Sequence, residues 1–328
     1  MEVKIKTVSP LLGLAIGDAL GQPFEFSDYK KIAATGWSGE FTDGLVWNLQ
    51  PGQYTDDTKM ALCIADSLLE QKGFVADQVS LKYIDWVNSG DLRGIGMTCE
   101  KSIYNMISGL PLSECGKKSA GRKKPSFKRV AVSADEEKTD ITTDFCGNGT
   151  VMRVAPIGSY YRNDLVKLSQ AAKDDASMTH NHPDARASSF ALAHYIASLC
   201  NGAEPIDALS ALLILPYEYP HVQESLILAI DCMDRKLSFE DSSEIIGSTG
   251  CAHSTLGSAM YAFISTINFR DAVVKATLMG GDTDTRAAIA GAMAGAYYGL
   301  EGIPETYLAV EDFERLQKLD KELFNGPK

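Results

Sequence analysis

The amino-acid sequence predicts an all-α protein, and two observations support this. Apolar residues recur at the spacing i, i+3, i+4 and i+7 in most segments, while stretches that alternate with a period of two are scarce. Two segments also carry a glycine at every fourth position, which lines one face of a helix. These glycines are Gly13, Gly17 and Gly21, and Gly291, Gly295 and Gly299. We expect close helix crossings that either only pack a crowded core or also bring together the acidic loops at the helix ends.

The predicted helices follow one another along the whole chain. The first has the sequence LLGLAIGDALG, and the segment that opens with Ala287 consists almost wholly of small and apolar residues, which is typical of a buried helix. Most of the others are amphipathic. In chain order the predicted helices cover residues 11–21, 58–71, 78–89, 100–110, 185–199, 208–215, 222–235, 257–266, 269–280, 287–300 and 306–323.

Length and composition indicate a globular protein with one large domain or two modest ones. The chain has 328 residues, of which 45% are hydrophobic and 23% charged. The segment 116–140 interrupts the helical pattern, since it is first basic and then acidic and contains Gly, Ser and Pro. We interpret it as an exposed insertion within a single domain that spans residues 1–328. Its basic part, Lys117 to Arg129, is either a solvated surface or a contact for a polyanionic partner.

Charge and cysteine usage restrict the partners and the compartment. A net charge of −12 argues against a general polyanion-binding surface, so nucleic acid is an unfavoured partner. Seven cysteines without a CxxC pair suit reduced thiols better than a disulfide framework. The N-terminus has no apolar signal region, and the apolar run from Ala287 to Leu300 is too short to cross a bilayer. We expect a cytoplasmic protein that does not enter membranes.

Two acidic motifs, TDDT at 55–58 and GGDTDTR at 280–286, each precede a helix. Capping a helix needs one Asp or Thr, so the remaining oxygens need another partner, which for buried carboxylates is usually a cation. Asp56 and Asp57 point about 100° apart at a helix start and can therefore flank two positions. Ligands that are all oxygen favour Mg²⁺ or Mn²⁺ over zinc. The two motifs together predict a site for two such ions.

Five motifs in this order resemble those of the ADP-ribosylglycohydrolase family, which includes the hydrolase that reactivates dinitrogenase reductase. They are LLGLAIGDALGQPFEF, YTDDTKMALCIADSLL, CGNGTVMRVAPIGSYY, SMTHNHPDA and LMGGDTDTRAAIAGAMAGAYYG. The resemblance extends from near Leu11 to near Gly302. It implies a single compact orthogonal helical domain that binds two Mg²⁺ or Mn²⁺ ions. It also implies removal of ADP-ribose from a modified protein or a small-molecule conjugate.

The resemblance also assigns roles to particular residues. Glu25 is implied to position or activate water, with Asp57 and Asp284 as the other catalytic groups, while we expect Asp18 to be a structural hydrogen-bonding residue. The implied metal ligands are Thr55, Asp56, Asp57, Asp282, Asp284 and Thr285. The implied substrate-binding residues are Gly94, Gly96, Cys146, Gly147, Asn148, Gly149 and His180.

Three further positions have alternative interpretations. His180 either lines the ADP-ribose pocket or belongs, with His182, to a loop before Pro183, and zinc binding by the His-x-His pair is unfavoured. Arg153 is expected to form a buried ion pair that orients the acidic cluster, or to contact substrate. Gly94 stands where the dinitrogenase-reductase type carries an aspartate, so the linkage to the acceptor, through nitrogen or oxygen, stays open. We expect His194, His221 and His253 to be structural.

Cleaving a ribosyl bond builds oxocarbenium character on the sugar. Two ions held by the aspartates would orient the ribose hydroxyls and lower the pKa of a bridging water, with Glu25 as general base or as the acid that protonates the leaving atom. The alternatives are a two-metal phosphohydrolase of a nucleotide and a non-catalytic ADP-ribose-binding relative. We expect a monomer.

Overall fold

The computed structural model describes residues 7–44, 46–117, 146–217, 220–247 and 250–326. Within these residues the chain is helical and has no strand, only isolated bridges between Ser27 and Gly281 and between Gly147 and Cys251. The all-α prediction is confirmed. The helices are α1 (Pro10–Gly21), α2 (Tyr29–Ala34), α3 (Asp56–Gln71), α4 (Ala76–Ser89), α5 (Met97–Ile107), α6 (Leu112–Cys115), α7 (Ala155–Tyr160), α8 (Leu165–Thr179), α9 (Pro183–Cys200), α10 (Pro205–Leu213), α11 (His221–Asp234), α12 (Phe239–Ile246), α13 (Ala252–Ile264), α14 (Phe269–Leu278), α15 (Thr283–Tyr298) and α16 (Phe313–Asn325).

The centre of the fold is the crossing of α1 and α15, and the two glycine ridges form it. A Cβ atom on Gly13 would lie 2.1 Å from the Gly291 carbonyl oxygen, and one on Gly17 would lie 1.9 Å from the Ala287 carbonyl oxygen. Only glycine permits two helix backbones to approach so closely. This explains why both helices contain glycines although glycine has a low helix propensity. The crossing brings the C-terminal end of α1 against the first turn of α15, where the Thr283 hydroxyl donates to the Gly21 carbonyl.

The other helices surround this central pair. Helices α9, α13 and α14 pack against α15, while α3, α7 and α16 pack against α1. Asp320 of α16 accepts hydrogen bonds from the backbone N–H groups of Leu11 and Leu12, both at 2.9 Å, and so caps the start of α1. The described helices share one apolar core. That core holds the central pair, and with it the ends of α1 and α15, in place.

Periodicity did not predict α2, α6, α7, α8 and α12, of which α8 is the longest. Its exposed face carries Leu165 and Val166, whereas its buried face includes several alanines and Asp175. The apolar pattern is therefore weak on the side that packs. The last predicted helix is also wrong in its first half, since residues 305–309 form a 3₁₀ turn and α16 begins only at Phe313. Asp312 is left-handed, at φ 59°, and accepts a hydrogen bond from the Tyr54 hydroxyl.

The expectation of reduced cysteines is wrong for one pair, because Cys146 and Cys251 form a disulfide. Backbone pairing beside them, from the Ala252 N–H to the Cys146 carbonyl at 2.7 Å, brings the two chain segments together. They are 105 residues apart, so no sequence spacing indicates the pair. The free cysteines among the described residues are Cys63, Cys99, Cys115, Cys200 and Cys232.

Most of the predicted insertion at 116–140 lies outside the described residues. Its exposure and the single-domain organisation therefore stay predictions, as does any role of the basic segment that ends at Arg129. None of the helices in the described ranges combines the length and apolar character that crossing a bilayer requires.

Candidate metal centre and substrate loops

The loops before α3 and α15 meet at the C-terminal end of α1. Asp18 of α1, Asp57 of α3 and Asp284 of α15 each present a carboxylate oxygen, and these oxygens lie within 4.8 Å of one another. All three side chains are buried. The fold therefore brings Asp57 and Asp284, which are 227 residues apart in the numbering of the chain, into one cluster.

Asp18 organises the start of α3 from the neighbouring helix. Its carboxylate accepts hydrogen bonds from the backbone N–H and hydroxyl of Thr55 and from the backbone N–H and hydroxyl of Thr58, over 2.6–3.1 Å. These two hydroxyls donate to Asp18, so each retains lone pairs on its oxygen. The structural role that the sequence suggested for Asp18 agrees with these contacts. Its carboxylate also lies in one cluster with those of the predicted ligands Asp57 and Asp284.

Asp57 carries the clearest sign of a missing partner. Its Oδ1 is buried and has no hydrogen-bond donor among the described residues. Burial raises the pKa of Asp57 well above its usual range, the charges of Asp18, Asp56 and Asp282 raise it further, and a hydrogen bond from Thr285 opposes them. Burial and neighbouring carboxylates raise the pKa of Asp284 in the same way. Such a cluster requires either protons or cations for charge balance.

Asp56 lies under the loop that contains Gly94 and Gly96. The Gly96 N–H donates to Asp56 Oδ2 at 3.4 Å. Gly94 is left-handed, at φ 84°, and a Cβ there would lie 2.5 Å from Asp56 Oδ1. Burial raises the pKa of Asp56 to about 7, with the charge of Asp18 as the next contribution. The glycine at 94 thus allows this loop to cover Asp56, and in this conformation the position cannot carry a side chain.

Asp282 is held from two directions. Asn148 donates from Nδ2 to Asp282 Oδ2 at 2.8 Å and to the Thr255 hydroxyl at 3.2 Å. On the other side, the buried guanidinium of Arg286 donates to the carbonyls of Gly280 and Gly247, and so supports the turn that precedes Asp282. A residue predicted to bind substrate therefore contacts a residue predicted to bind metal. The loop from Gly147 to Gly149 and the acidic loop are therefore in direct contact.

Glu25 lies beside this cluster, in a loop that pairs with the turn before Asp282. The Phe26 N–H donates to the Gly281 carbonyl at 2.7 Å, and the Gly281 N–H donates to the Ser27 carbonyl at 2.8 Å. Burial, and next the charge of Asp282, raise the pKa of Glu25 to about 8. Trp47 donates from Nε1 to Glu25 Oε2 at 2.6 Å. Trp47 was not predicted as a site residue, because it lies in a loop without helical periodicity.

The glycines of the Gly147–Asn148–Gly149 loop pack against His180. A Cβ on Gly147 would lie 2.9 Å from the His180 ring, and one on Gly149 would lie 2.8 Å from it. His180 is buried, and burial lowers its pKa to about 3, so its imidazole is neutral. His180 thus contacts the glycine loop, and its predicted place in the ADP-ribose pocket stays a prediction. His182 instead accepts a hydrogen bond from the Asp184 N–H and caps α9.

Arg153 forms a buried ion pair, as predicted, but its partner is not in the acidic cluster. Its Nε donates to Asp175 Oδ2 at 2.8 Å, and its Nη1 donates to the Gly149 carbonyl at 2.8 Å. The expectation that Arg153 orients the acidic cluster is therefore wrong, because the Arg153 guanidinium contacts Asp175 and the glycine loop instead. Asp175 lies in the helix α8 that periodicity missed. Cys146, whose sulfur is in the disulfide, has only backbone groups to offer a substrate.

The sequence profile of the family described as ADP-ribosylglycohydrolase matches residues 4–328. ADP-ribosylarginine hydrolase Tri1 of Serratia proteamaculans is 29% identical over 97% of this chain and 79% of its own length. ADP-ribosyl-[dinitrogen reductase] glycohydrolase of Rhodospirillum rubrum is 25% identical over 94% of this chain and 91% of its own. A solved structure titled ADP-ribosylglycohydrolase-related protein complex superposes with a TM-score of 0.75, at 27% identity, over 98% of this chain and 97% of that chain.

Proposed function

The chain belongs to the ADP-ribosylglycohydrolase family, so it is a hydrolase of ADP-ribosyl bonds, and we propose that its buried carboxylates form a divalent-metal centre for this reaction. The substrate we propose is ADP-ribose linked to a protein side chain or a related conjugate. The observation that carries the metal proposal is Asp57 Oδ1, a buried carboxylate oxygen without a donor among the described residues. A cation beside it would supply the missing partner.

The residues present fit such a centre. We propose that the ions are two Mg²⁺ or Mn²⁺, because carboxylate and hydroxyl oxygens are the donors these ions prefer. The residues that would hold them are Thr55, Asp56, Asp57, Asp282, Asp284 and Thr285. Asp18 would act through Thr55, since it already accepts from both the backbone and the hydroxyl of that residue. When bound, the ions supply Lewis acidity and orient the ribose hydroxyls.

The proton-transfer group in this proposal is Glu25. Its Oε2 accepts from Trp47, which leaves Oε1 to exchange a proton with the attacking water or with the leaving atom. The raised pKa, about 8, keeps the carboxyl protonated at neutral pH unless a cation lowers it. Trp47 fixes the carboxyl plane. The side chain of Glu25 is partly exposed, as access of an acceptor requires.

Substrate binding is proposed for the loop from Gly147 to Gly149. Its backbone would approach the diphosphate of ADP-ribose, and Asn148 would connect this loop to Asp282. The neutral His180 ring supports the loop from behind. Because a Cβ at Gly94 would collide with Asp56, we propose that acceptor recognition here needs no side chain at position 94. The relatives described above carry names that refer to arginine and to dinitrogen reductase.

The test uses two matched ADP-ribosylated peptides, one linked through arginine and one through serine. Metal-free protein is incubated with each, with and without Mg²⁺, and the products are separated by chromatography. We expect Mg²⁺-dependent release of free ADP-ribose and unmodified peptide from one of the two. Release of AMP would instead indicate phosphohydrolase chemistry. Release that is unchanged by chelation would refute the metal centre.

A further inference from the structure

A second cluster of metal-ligand residues lies outside the proposed active site. It joins Asp184, His221 and His253, from the first turns of α9, α11 and α13. One ring nitrogen of each histidine and one carboxylate oxygen of Asp184 lie within 4.8 Å of one another. None of the three is among the residues to which we assign catalysis. The sequence suggested only structural roles for His221 and His253, because their meeting depends on the fold.

Asp184 is the buried member, and half of its carboxylate lacks a partner. Its exposed fraction is 4%. Oδ2 accepts from His221 Nδ1 at 2.9 Å, whereas Oδ1 is buried without a hydrogen-bond partner in the described part of the chain. A buried carboxylate with an unsatisfied oxygen is costly unless a donor or a cation accompanies it. This second orphaned oxygen is independent of the one on Asp57.

The two imidazoles are already oriented toward each other. Their ring centroids are 5.3 Å apart. His253 Nδ1 lies 3.0 Å from the hydroxyl of Ser225, a buried residue of α11, and this contact fixes the His253 ring plane. Protein ligands of transition metals are commonly held by such outer hydrogen bonds.

We propose that Asp184, His221 and His253 bind a zinc-type divalent cation, with water completing the coordination. Imidazole nitrogen combined with a carboxylate suits Zn²⁺ far better than Mg²⁺, which distinguishes this site from the oxygen-only cluster. Tetrahedral ligands at about 2.0 Å from zinc lie about 3.3 Å apart. The 2.9 Å contact between His221 and Asp184 is already near that spacing, and the ion replaces the proton they share.

Closing the site requires only a small movement. No two of the three ligand atoms are more than 4.8 Å apart, so none of their separations must shrink by more than about 1.5 Å to reach the tetrahedral spacing. The His221 side chain is 47% exposed and already contacts Asp184. Three helix N-termini meet here, and their dipoles oppose a cation by up to about 1 kcal/mol each. The carboxylate of Asp184 offsets this.

The cation would stabilise the framework behind the substrate loop. The Thr150 hydroxyl donates to the Ala185 carbonyl, next to Asp184, and Asn148 donates to Thr255, two residues beyond His253. An ion that joins the starts of α9, α11 and α13 therefore fixes the surfaces against which the loop rests. Its role is structural, and it takes no part in bond cleavage.

The test measures zinc that remains bound to the full-length protein. Protein stripped with a chelator is incubated with Zn²⁺ in the presence of excess Mg²⁺, which occupies oxygen-only sites, and is then gel-filtered before metal analysis. We expect about one zinc per chain in the wild type and a rise in Tm on zinc addition. His221→Ala and His253→Ala should each weaken zinc binding by at least about tenfold.

His194→Ala is the matched control, because His194 lies on α9 outside both clusters. It should retain zinc binding. His221 is exposed, so His221→Ala gives a decisive result even if His253→Ala fails to fold. A wild type that retains no zinc would overturn the proposal, and so would a His221→Ala variant that binds zinc as tightly as the wild type. Absence of ADP-ribose release with zinc still bound would contradict the proposed function but not the zinc site.

Discussion

Single residues in this site each have a role that their contacts define. Asp18 is the clearest, because one buried carboxylate satisfies the donors of both Thr55 and Thr58. Without it, two backbone N–H groups and two hydroxyls at the start of α3 lose their acceptor. The position of the TDDT motif therefore depends on a residue of α1.

Replacing this residue gives the first prediction. Asp18→Ala should lower the free energy of unfolding by at least about 3 kcal/mol, since each buried donor left unpaired costs roughly 1–3 kcal/mol. Denaturant unfolding of the metal-free protein measures this. The control is Asp66→Ala on α3, whose ion pair with Arg315 is partly exposed and should contribute less than about 1 kcal/mol. Equal effects of the two variants would show that Asp18 does not hold α3.

Trp47 supports a second prediction at this scale. Trp47→Phe removes the N–H that donates to Glu25 Oε2 but keeps an aromatic side chain. We expect kcat to fall about tenfold, with little change in KM, because a group that orients a proton-transfer residue acts on the chemical step. Stabilisation by Mg²⁺ should not change.

Trp37→Phe is the control for Trp47, because Trp37 donates to a backbone carbonyl, that of Glu40, at 2.7 Å. Its removal should leave kcat within about twofold. A wild-type kcat in Trp47→Phe would show that Glu25 does not need the hydrogen bond from Trp47.

Among the elements, α1 and α15 contribute most to the placement of the site. Gly17 lies at the point of closest approach, where a Cβ would be 1.9 Å from the Ala287 carbonyl oxygen. Gly17→Ala must separate the two helices and should lower the free energy of unfolding by about 3 kcal/mol or more. Gly250→Ala, where an added Cβ meets nothing within 4 Å, is the control. Thermal unfolding of both variants provides the measurement. Equal Tm values would show that the close contact at Gly17 does not stabilise the packing of α1 against α15.

The sequence predicted these two helices and the acidic motifs because both signals are local. The glycine ridge shows in the spacing of Gly13 and Gly17, and the TDDT motif shows in adjacent residues. Helix α8 was missed because the face it buries includes Asp175 and small alanines, which do not form an apolar stripe. The break before α16 was missed because Asp312 adopts a left-handed conformation while bonded to Tyr54. Both depend on partners distant in sequence.

The same limit applied to the site. Asp57 and Asp284 were predicted to meet, and the structure places their carboxylates together. Trp47, the disulfide partner Cys251 and the ion pair of Arg153 with Asp175 could not be predicted, because no local pattern marks them. The metal and substrate roles of the individual residues stay predictions, as do the monomeric state and the cytoplasmic location.

For the whole molecule, the buried carboxylates make stability depend on pH. The pKa of Asp56 is raised to about 7 and that of Glu25 to about 8, both above the values of the unfolded chain. The folded state therefore binds protons more tightly, so the stability from these groups is complete below about pH 4 and is lost as pH rises through 7 to 8. The Tm of the metal-free protein should fall as pH rises from 5 to about 8.

Added Mg²⁺ should reverse that loss, with a stabilisation that grows as pH rises, because the ions compete with protons for the same oxygens. Tm measured across this range, with chelator or with Mg²⁺, provides the comparison. A Tm shift that did not depend on pH would indicate that Mg²⁺ binds elsewhere.

The most direct test of the metal centre is the rate of ADP-ribose release while Mn²⁺ is titrated into metal-free protein, for wild type and for Asp57→Asn. The variant keeps the shape of the side chain but removes the charge at the orphaned oxygen. We predict that wild-type activity rises from the background to saturation, and that Asp57→Asn stays at least about a hundredfold below it at every concentration. Equal titration curves would contradict the proposal that these carboxylates hold the ions for hydrolysis.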